Sequence, residues 1–398
     1  MNIPMSGPDI TDLERQAVLA VLETDYLSIG PQVEQFERAF AELTGNRYAV
    51  ACNSGTSGLH MAMEAVNVKP NTLVITTPFS FVASSNCILY QGAIPIFVDI
   101  EPQTYNIDPS EVAQALADLQ QAGEKAARWF PPALRNEARR RRFPLSALLS
   151  VDVFGQPADA DALQKLATEY GIPLVEDACE ALGSCYKGRP TGSLGDLAVF
   201  GFYPNKQITT GEGGMVVTND ESSAALCRSL RNQGRDVFDA WLGHTRLGYN
   251  YRISEMSAAL GLVQLQRLPE IMAKRCQVAN WYTEQLADMI GVTVLQVAAT
   301  TSQMSWFVYV IRLDATYDRD EVIHQLQQRG VPSRPYFPPI HLQPFYRQRF
   351  GYHEGIYPLT EAVGASTLAL PFSSKLSKTQ VDYVCEMLRK VLAQCGPN

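Results

Sequence analysis

The segment FYPNKQITTGEGG, residues 202–214, sets a single lysine, Lys206, between a Pro-Asn pair and three glycines around a glutamate. A lysine amine attacks a carbonyl when burial or cationic neighbours lower its pKa and free the amine. Gly211, Gly213 and Gly214 would let the backbone approach a ligand closely. An isolated loop lysine is ordinarily a solvated charge, so the reading depends on what other stretches bring to it.

CNSGTSGLH (52–60) reads as strand, tight turn and helix. Gly55 frees the turn. Thr56 and Ser57 stand at the helix start, with hydroxyls and unpaired backbone amides that suit an anion such as phosphate. Ser and Thr are also ordinary helix caps. VEDACEALGS (175–184) ends a strand with two adjacent acids, Glu176 and Asp177, which point to opposite faces. A carboxylate there can hold a protonated ring nitrogen, or cap a helix begun by ACEAL. RLGYNYRISEM (246–256) brings Asn250 and Arg252, which could bind an anion or serve as cap and surface charge. Phe81 offers a ring face for stacking.

A lysine nucleophile, a phosphate nest, a carboxylate for a ring nitrogen and an aromatic face are the parts list of pyridoxal phosphate. Its carbonyl forms a Schiff base with lysine, and its pyridinium pairs with an acid.

The elements that must position these groups follow a repeated grammar. YAVAC (48–52), TLVITT (72–77), IPIFVDI (94–100), SALLSVDVFG (146–155) and IPLVEDA (172–178) read as short apolar strands separated by helices. That alternation implies an α/β fold with a mostly parallel sheet covered on both faces. Open parallel sheets keep their ligand crevice at the carboxyl ends of the strands. DLAVFGFY and GMVVTND read as neighbouring strands around the Lys206 segment. Residues 11–23 and 32–43 read as amphipathic helices, and the chain after Glu221 as mainly helical through Leu286. A final section alternates the strand WFVYVIRL, the helix DEVIHQLQQRG, a Pro/aromatic loop carrying Tyr336 and His341, and a closing helix.

Composition bounds the function. The 398 residues are 46% hydrophobic and 19% charged, as in globular proteins of two domains. A net charge of −8 disfavours general nucleic-acid binding. The eight cysteines form no C-x-x-C pair, so no metal site is expected and the thiols read as those of a reduced, cytoplasmic protein. No signal peptide or membrane span is expected. One segment breaks the grammar: AGEKAARWFPPALRNEARRRRFP (122–144), with Arg139 to Arg142 in a row. It reads as a solvated, partly disordered insertion, or as a basic clamp for phosphate or a partner chain.

Nearly the whole chain resembles the DegT/StrS family of nucleotide-sugar aminotransferases. The resemblance runs from LSIGPQVEQFERAFAELTG through NSGTSGLH, TTPFSFVAS, GAIPIFVDI, VFGQPADADAL, VEDACEALGS, FYPNKQITTGEGG and GYNYRISEMSAALGLVQL to PPIHLQPFYR. It implies the type I aminotransferase fold, with a large cofactor domain over 1–262 and a small C-terminal domain over 263–398. It also implies a homodimer with active sites shared between subunits. By this match Lys206 would carry the Schiff base and Asp177 would pair with the pyridine nitrogen. Glu180, where the family usually has glutamine, would face the cofactor's 3-hydroxyl. Gly55, Thr56 and Ser57 would hold the phosphate, Phe81 would stack on the ring, and Asn250 would reach the neighbouring subunit's cofactor. Apart from the match, Arg252, Tyr336 and His341 are candidates for substrate contact, with bracing of the dimer by Arg252 and loop packing by Tyr336 and His341 as the alternatives. Gly201 stands where many members have a phosphate-binding serine, and Asp152 where a histidine is common. The implied reaction moves an amino group from L-glutamate to a keto sugar on a nucleotide diphosphate. A sugar dehydratase or lyase, or a non-catalytic regulatory protein, are the alternatives.

Overall fold

The computed structural model describes residues 3–236 and 243–396. Strands β1 (Tyr48–Cys52), β2 (Leu73–Thr76), β3 (Ile94–Phe97), β4 (Leu145–Val151) and β5 (Leu174–Asp177) belong to the main sheet. A hairpin of β6 (Cys185–Tyr186) and β7 (Arg189–Pro190) stands outside it, and β8 (Leu197–Gly201) and β9 (Gly214–Thr218) return to it. The order across the seven strands is β1-β9-β8-β5-β4-β2-β3. Strand β9 pairs antiparallel with both β1 and β8, and the remaining pairings are parallel.

Alternation along each strand divides the core into two layers. Ala49, Ala51, Phe200, Met215 and Val217 face helix Pro31–Thr44, whose Phe36 and Phe40 are fully buried. Val50, Cys52, Val199 and Val216 face helix Gly55–Ala65, with Leu59 and Met63. Both layers are apolar because the sheet has no wet face.

Four further strands make a smaller sheet: β10 (Val292–Val294), β12 (Tyr309–Leu313), β13 (Arg334–Pro335) and β14 (Thr367–Leu370), in the order β10-β12-β14-β13. Strand β11 (Thr301–Gln303) joins the β6–β7 hairpin instead. Helices Leu268–Leu286 and Lys378–Cys395 pack beside the smaller sheet. The two sheets share a continuous core, in which Phe79, Val151 and Phe154 meet Phe307 and Phe337. The division expected between 262 and 263 falls inside helix Glu255–Gln266, which packs on helices Asp12–Leu22 and Pro31–Thr44. The chain's first described residues close on its last part: the amide of Phe372 donates to the Met5 carbonyl at 2.9 Å. Among the described residues no helix is long and apolar enough to cross a membrane.

Two expectations are corrected. Residues 122–144 are folded, as helices Glu124–Ala127 and Arg135–Arg140 around a 3-10 turn. Trp129, Phe130, Ala138 and Phe143 are buried there against Val112, Leu116 and Leu163. The Trp129 indole N–H donates to Asp118 Oδ2 at 3.0 Å. Apolar side chains in this segment repay the ordering of its backbone. Three of its six arginines are drawn into local pairs: Arg128 with Asp118, Arg139 with Glu124 and Arg141 with Glu137. The second correction concerns 232–254. Helix Glu221–Arg231 ends before it, and its described residues run as an extended strap until helix Glu255–Gln266 begins; 237–242 lie outside the described residues. A side chain at Gly248 would lie 2.0 Å from the Gly234 amide, so the strap closes on itself through glycines.

Candidate active site

A cavity of about 480 Å³ opens at the carboxyl ends of β1, β2, β5 and β8, beside the start of β9. Each wall comes from the chain just past a strand end, as the topology requires.

The first wall is the turn after β1. Ser54 caps helix Gly55–Ala65: its Oγ accepts the Ser57 amide at 3.0 Å. Ser54, Gly55 and Thr56 line the cavity. Ser57 does not. It is buried, and its hydroxyl donates to Asn53 Oδ1 at 2.7 Å. The turn is pressed against β9, because register sets Cys52 opposite Gly214. A Cβ on Gly214 would stand 2.5 Å from the Ser54 carbonyl oxygen, so only glycine fits there. Gly55 and Gly201 face each other across Cys179, with the position of a Gly55 Cβ 3.2 Å from the Gly201 Cα.

The second wall is the end of β5. Asp177 is buried, and its Oδ2 accepts a hydrogen bond from the Ser84 hydroxyl at 2.7 Å. Its Oδ1 accepts the Cys179 amide at 3.2 Å. The Ser84 hydroxyl is held in turn by Ser80 at 2.8 Å. Glu176 points the other way, as alternation dictates. Its carboxyl accepts the Gly192 and Leu194 amides. Burial pushes the Glu176 acidity weaker, and pushes Asp152 well above the usual carboxylate range, further raised by Glu176. Of the two, Asp152 is pushed the further towards its neutral form. Its Oδ1 accepts the Ala158 amide at 3.0 Å, and it does not line the cavity.

Lys206 occupies the third wall. Its side chain is 15% exposed, with Nζ 3.6 Å from Glu180 Oε1. Nζ also lies 3.9 Å from the centre of the Phe307 ring. Glu180 Oε2 accepts the Phe154 amide at 3.0 Å. Burial raises the Glu180 pKa, and the Lys206 ammonium works against that rise. Phe307 is fixed from behind. Arg275, buried without a carboxylate partner among the described residues, donates to the Trp306 and Phe307 carbonyls at 2.7 Å each. Desolvation lowers its pKa to about 10.

The structure brings together Gly55, Thr56, Phe81, Asp177, Glu180, Gly201, Lys206 and Tyr336 around one cavity. It does not bring Ser57, Asn250, Arg252 or His341 to it. Asn250 is exposed, and Arg252 donates to Asn232 Oδ1 at 3.0 Å. His341 is fully buried among Tyr352 and Tyr357, and its Nε2 meets Glu361 Oε1 at 2.9 Å. Its loop turns inward, so the ring became part of the core. Ser54, Ser84, Asn205 and Phe307 were missed. Ser54 had a signal, since it precedes the first helical glycine. Ser84 and Phe307 had none, because they come from the first turn of a short apolar helix and from a strand-like run.

Pyridoxal phosphate fits these groups. The helix start at Gly55 and the Thr56 side chain offer donors for a phosphate, and Asp177 offers a carboxylate for a ring nitrogen. Phe81 offers an exposed ring face. The buried Asn205 Oδ1 on the cavity wall has no hydrogen-bond partner among the described residues, and a bound donor would satisfy it.

Comparison with known proteins agrees with this geometry. Residues 8–389 match the model of the DegT/DnrJ/EryC1/StrS aminotransferase family. GDP-perosamine synthase of Caulobacter vibrioides is 35% identical over 98% of each chain. GDP-perosamine synthase of Escherichia coli O157:H7 is 31% identical, again over 98% of each. PseC of Helicobacter pylori, an aminotransferase involved in the biosynthesis of pseudoaminic acid, superposes with a TM-score of 0.87 at 27% identity, covering 99% of this chain and 100% of that one. Spr1654 of Streptococcus pneumoniae in its PLP-form superposes with a TM-score of 0.87 at 26% identity, covering 100% of both chains. The fold is thus the type I aminotransferase fold, the cofactor is pyridoxal phosphate, and the chain belongs to the DegT/DnrJ/EryC1/StrS family of sugar aminotransferases.

Proposed function

We propose that this enzyme transfers an amino group from L-glutamate to the keto carbon of a nucleotide-diphosphate-linked keto-deoxyhexose. The observation that carries the reading is the convergence of Lys206, Asp177 and the helix start at Gly55 on one cavity. The names of the two GDP-perosamine synthases support a nucleotide-linked sugar as the acceptor.

Pyridoxal phosphate, when bound, supplies an electrophilic carbonyl and a ring that takes up the electron pair of a breaking C–H bond. The Lys206 amine holds the carbonyl carbon at rest. Once displaced, Nζ would take the proton from the α-carbon of the amino donor and return it two bonds away, to the carbon on the other side of the shared nitrogen. Positioned proton transfer of this kind is worth ~10²–10⁴-fold. Asp177, aimed by Ser84 and Cys179, holds a proton on the ring nitrogen. Gly55 and Thr56 bind the phosphate, and Gly201 leaves room beside it. Phe81 stacks on the ring, and Glu180 faces the ring hydroxyl. Tyr336 contacts the acceptor sugar. Asn250 and Arg252, outside this cavity, serve the site of a neighbouring subunit in a homodimer with shared sites. His341 has no part in the chemistry. A regulatory role through a basic face has less to draw on, because Arg128, Arg139 and Arg141 of 122–144 are paired with acids.

Visible absorption of the cofactor-loaded protein before and after L-glutamate tests the donor half. The band should collapse, with one 2-oxoglutarate formed per site. Lys206→Ala should fold and take up cofactor but turn over at less than a thousandth of the wild-type rate. Retained turnover in that variant would sink the mechanism. Conversion of sugar without 2-oxoglutarate would point to a lyase.

A further inference from the structure

Glu212 sits between glycines in the loop that joins β8 to β9. The base of this loop is cinched: the Phe202 amide donates to the Gly213 carbonyl at 2.9 Å, and the Thr210 amide to the Phe202 carbonyl at 3.1 Å. Gly211 turns the chain at a φ of +80°, a conformation that favours glycine, and a Cβ on Gly213 would stand 2.2 Å from Thr210 Oγ1. The same Thr210 hydroxyl donates to the Glu212 carbonyl at 2.8 Å. The backbone of Glu212 is thus pinned, and its exposed side chain stands on the wall of the active-site cavity. Three carboxylates line that cavity among the described residues: Asp177, Glu180 and Glu212. The first two are engaged. Asp177 accepts from Ser84 and Cys179, and Glu180 accepts the Phe154 amide and lies 3.6 Å from the Lys206 amine. The Glu212 carboxylate makes neither a hydrogen bond nor an ion pair with a described residue. Tyr203, on the other arm of the loop, also lines the cavity with 54% of its area in solvent.

We infer that Glu212 selects the acceptor: its two carboxylate oxygens accept hydrogen bonds from hydroxyls of the sugar ring, which rests beside the Tyr203 ring. The inference rests on the keto-sugar-nucleotide reading above and adds the residue that recognises the sugar. The donors of this cavity, at the helix start, Thr56 and Lys206, suit a phosphate and a carbonyl. A free carboxylate calls instead for a ligand that brings donors. A sugar ring brings hydroxyls and no charge, and a hydroxyl given to a carboxylate makes a charge-assisted bond. L-glutamate brings two carboxylates, whose charge opposes that of Glu212, and its one amine must go to the cofactor's carbonyl carbon. Glu212 therefore acts in the acceptor half of the reaction and not in the donor half. A merely solvated glutamate would need neither a pinned backbone nor a place on this wall.

The test runs the two halves separately on the cofactor-loaded wild type, Glu212→Gln and Glu212→Ala. Mixing with L-glutamate gives the donor rate from the fall of the visible band. Mixing the converted enzyme with a GDP- or dTDP-linked 4-keto-6-deoxyhexose gives the acceptor rate, against concentration, from the return of the band. The donor rate should stay within about twofold of the wild type. The half-saturating concentration of the sugar should rise about fivefold or more in Glu212→Gln and about tenfold or more in Glu212→Ala. The side chain is exposed, so thermal melting should match the wild type and exclude misfolding. A wild-type acceptor half in both variants, or equal losses in the two halves, overturns the inference and leaves the keto-sugar-nucleotide reading intact. So does a change in molar mass by light scattering, which would assign Glu212 to a subunit contact. A wild-type enzyme whose band falls with L-glutamate and returns with neither sugar removes that reading, and the inference with it.

Discussion

Lys206 and Phe307 meet face to point, with the amine nitrogen 3.9 Å from the ring centre. The two come from different sheets, one past the end of β8 in the large sheet and the other just before β12 in the smaller one. Arg275 fixes the ring by gripping the carbonyls of Trp306 and Phe307. Lysine at 275 has one ammonium and cannot fork to both carbonyls in the same plane. Arg275→Lys should therefore cut kcat about ten- to a hundredfold through misplacement of the ring. Cofactor uptake, read from the visible band, should remain. Unchanged kcat would show that the ring needs no such support.

Asp152 and Glu176 are both buried, and burial raises both carboxyls, Asp152 well above the usual range. The folded pKa of Asp152 is raised, so its favourable contribution is complete below the ordinary carboxylate range and is lost as pH rises towards the folded value. Asparagine at 152 supplies a permanent donor to Glu176 and keeps the oxygen that accepts the Ala158 amide. Asp152→Asn should then melt at or above the wild-type temperature at pH 8, with a gap that shrinks towards pH 4. Calorimetry across that range decides it; a gap of the opposite slope would rule out a raised Asp152 carboxyl.

Glu14 behaves in the opposite sense. Burial pushes its carboxyl up, but hydrogen bonds from Thr11, Arg267 and Gln264 outweigh that and bring it down to about 2. A depressed pKa contributes stability above the ordinary value, and this is lost as pH falls from about 4.5 to about 2. Glu14→Gln should lose about 1–2 kcal/mol at pH 7. The loss should vanish near pH 2, and urea unfolding at both pH values measures it.

Trp129 anchors the folded segment 122–144, 8% exposed with its indole bonded to Asp118. Trp129→Ala should cost about 3 kcal/mol in denaturant unfolding. A cost near zero would mean that the segment does not belong to the core.

The strand grammar was legible because a sheet covered on both faces demands apolar runs, and YAVAC, TLVITT and GMVVT are such runs. Lys206 and Asp177 were legible because strand ends are where such a sheet keeps its crevice. What escaped was set by contacts distant in sequence. Segment 122–144 looks polar in sequence, yet its few apolar residues converge on one layer with Val112 and Leu163. The strap after Arg231 was read as helix, because nothing local says that Gly234 and Gly248 will touch. Ser84 earns its place only through Asp177, 93 positions away.

The pairing of β1 with β9 also dictates an order of events at the ribosome. The turn at Ser54–Gly55 emerges early, but the strand that buttresses it begins at Gly214. Until some 160 further residues have been made, this end of β1 has no neighbour on that side. The nascent chain then offers β1 with an open edge, a state that invites pairing with the wrong strand. Slow translation between positions 52 and 214 would lengthen that exposure, and a chaperone acting on this enzyme would find its substrate in that window.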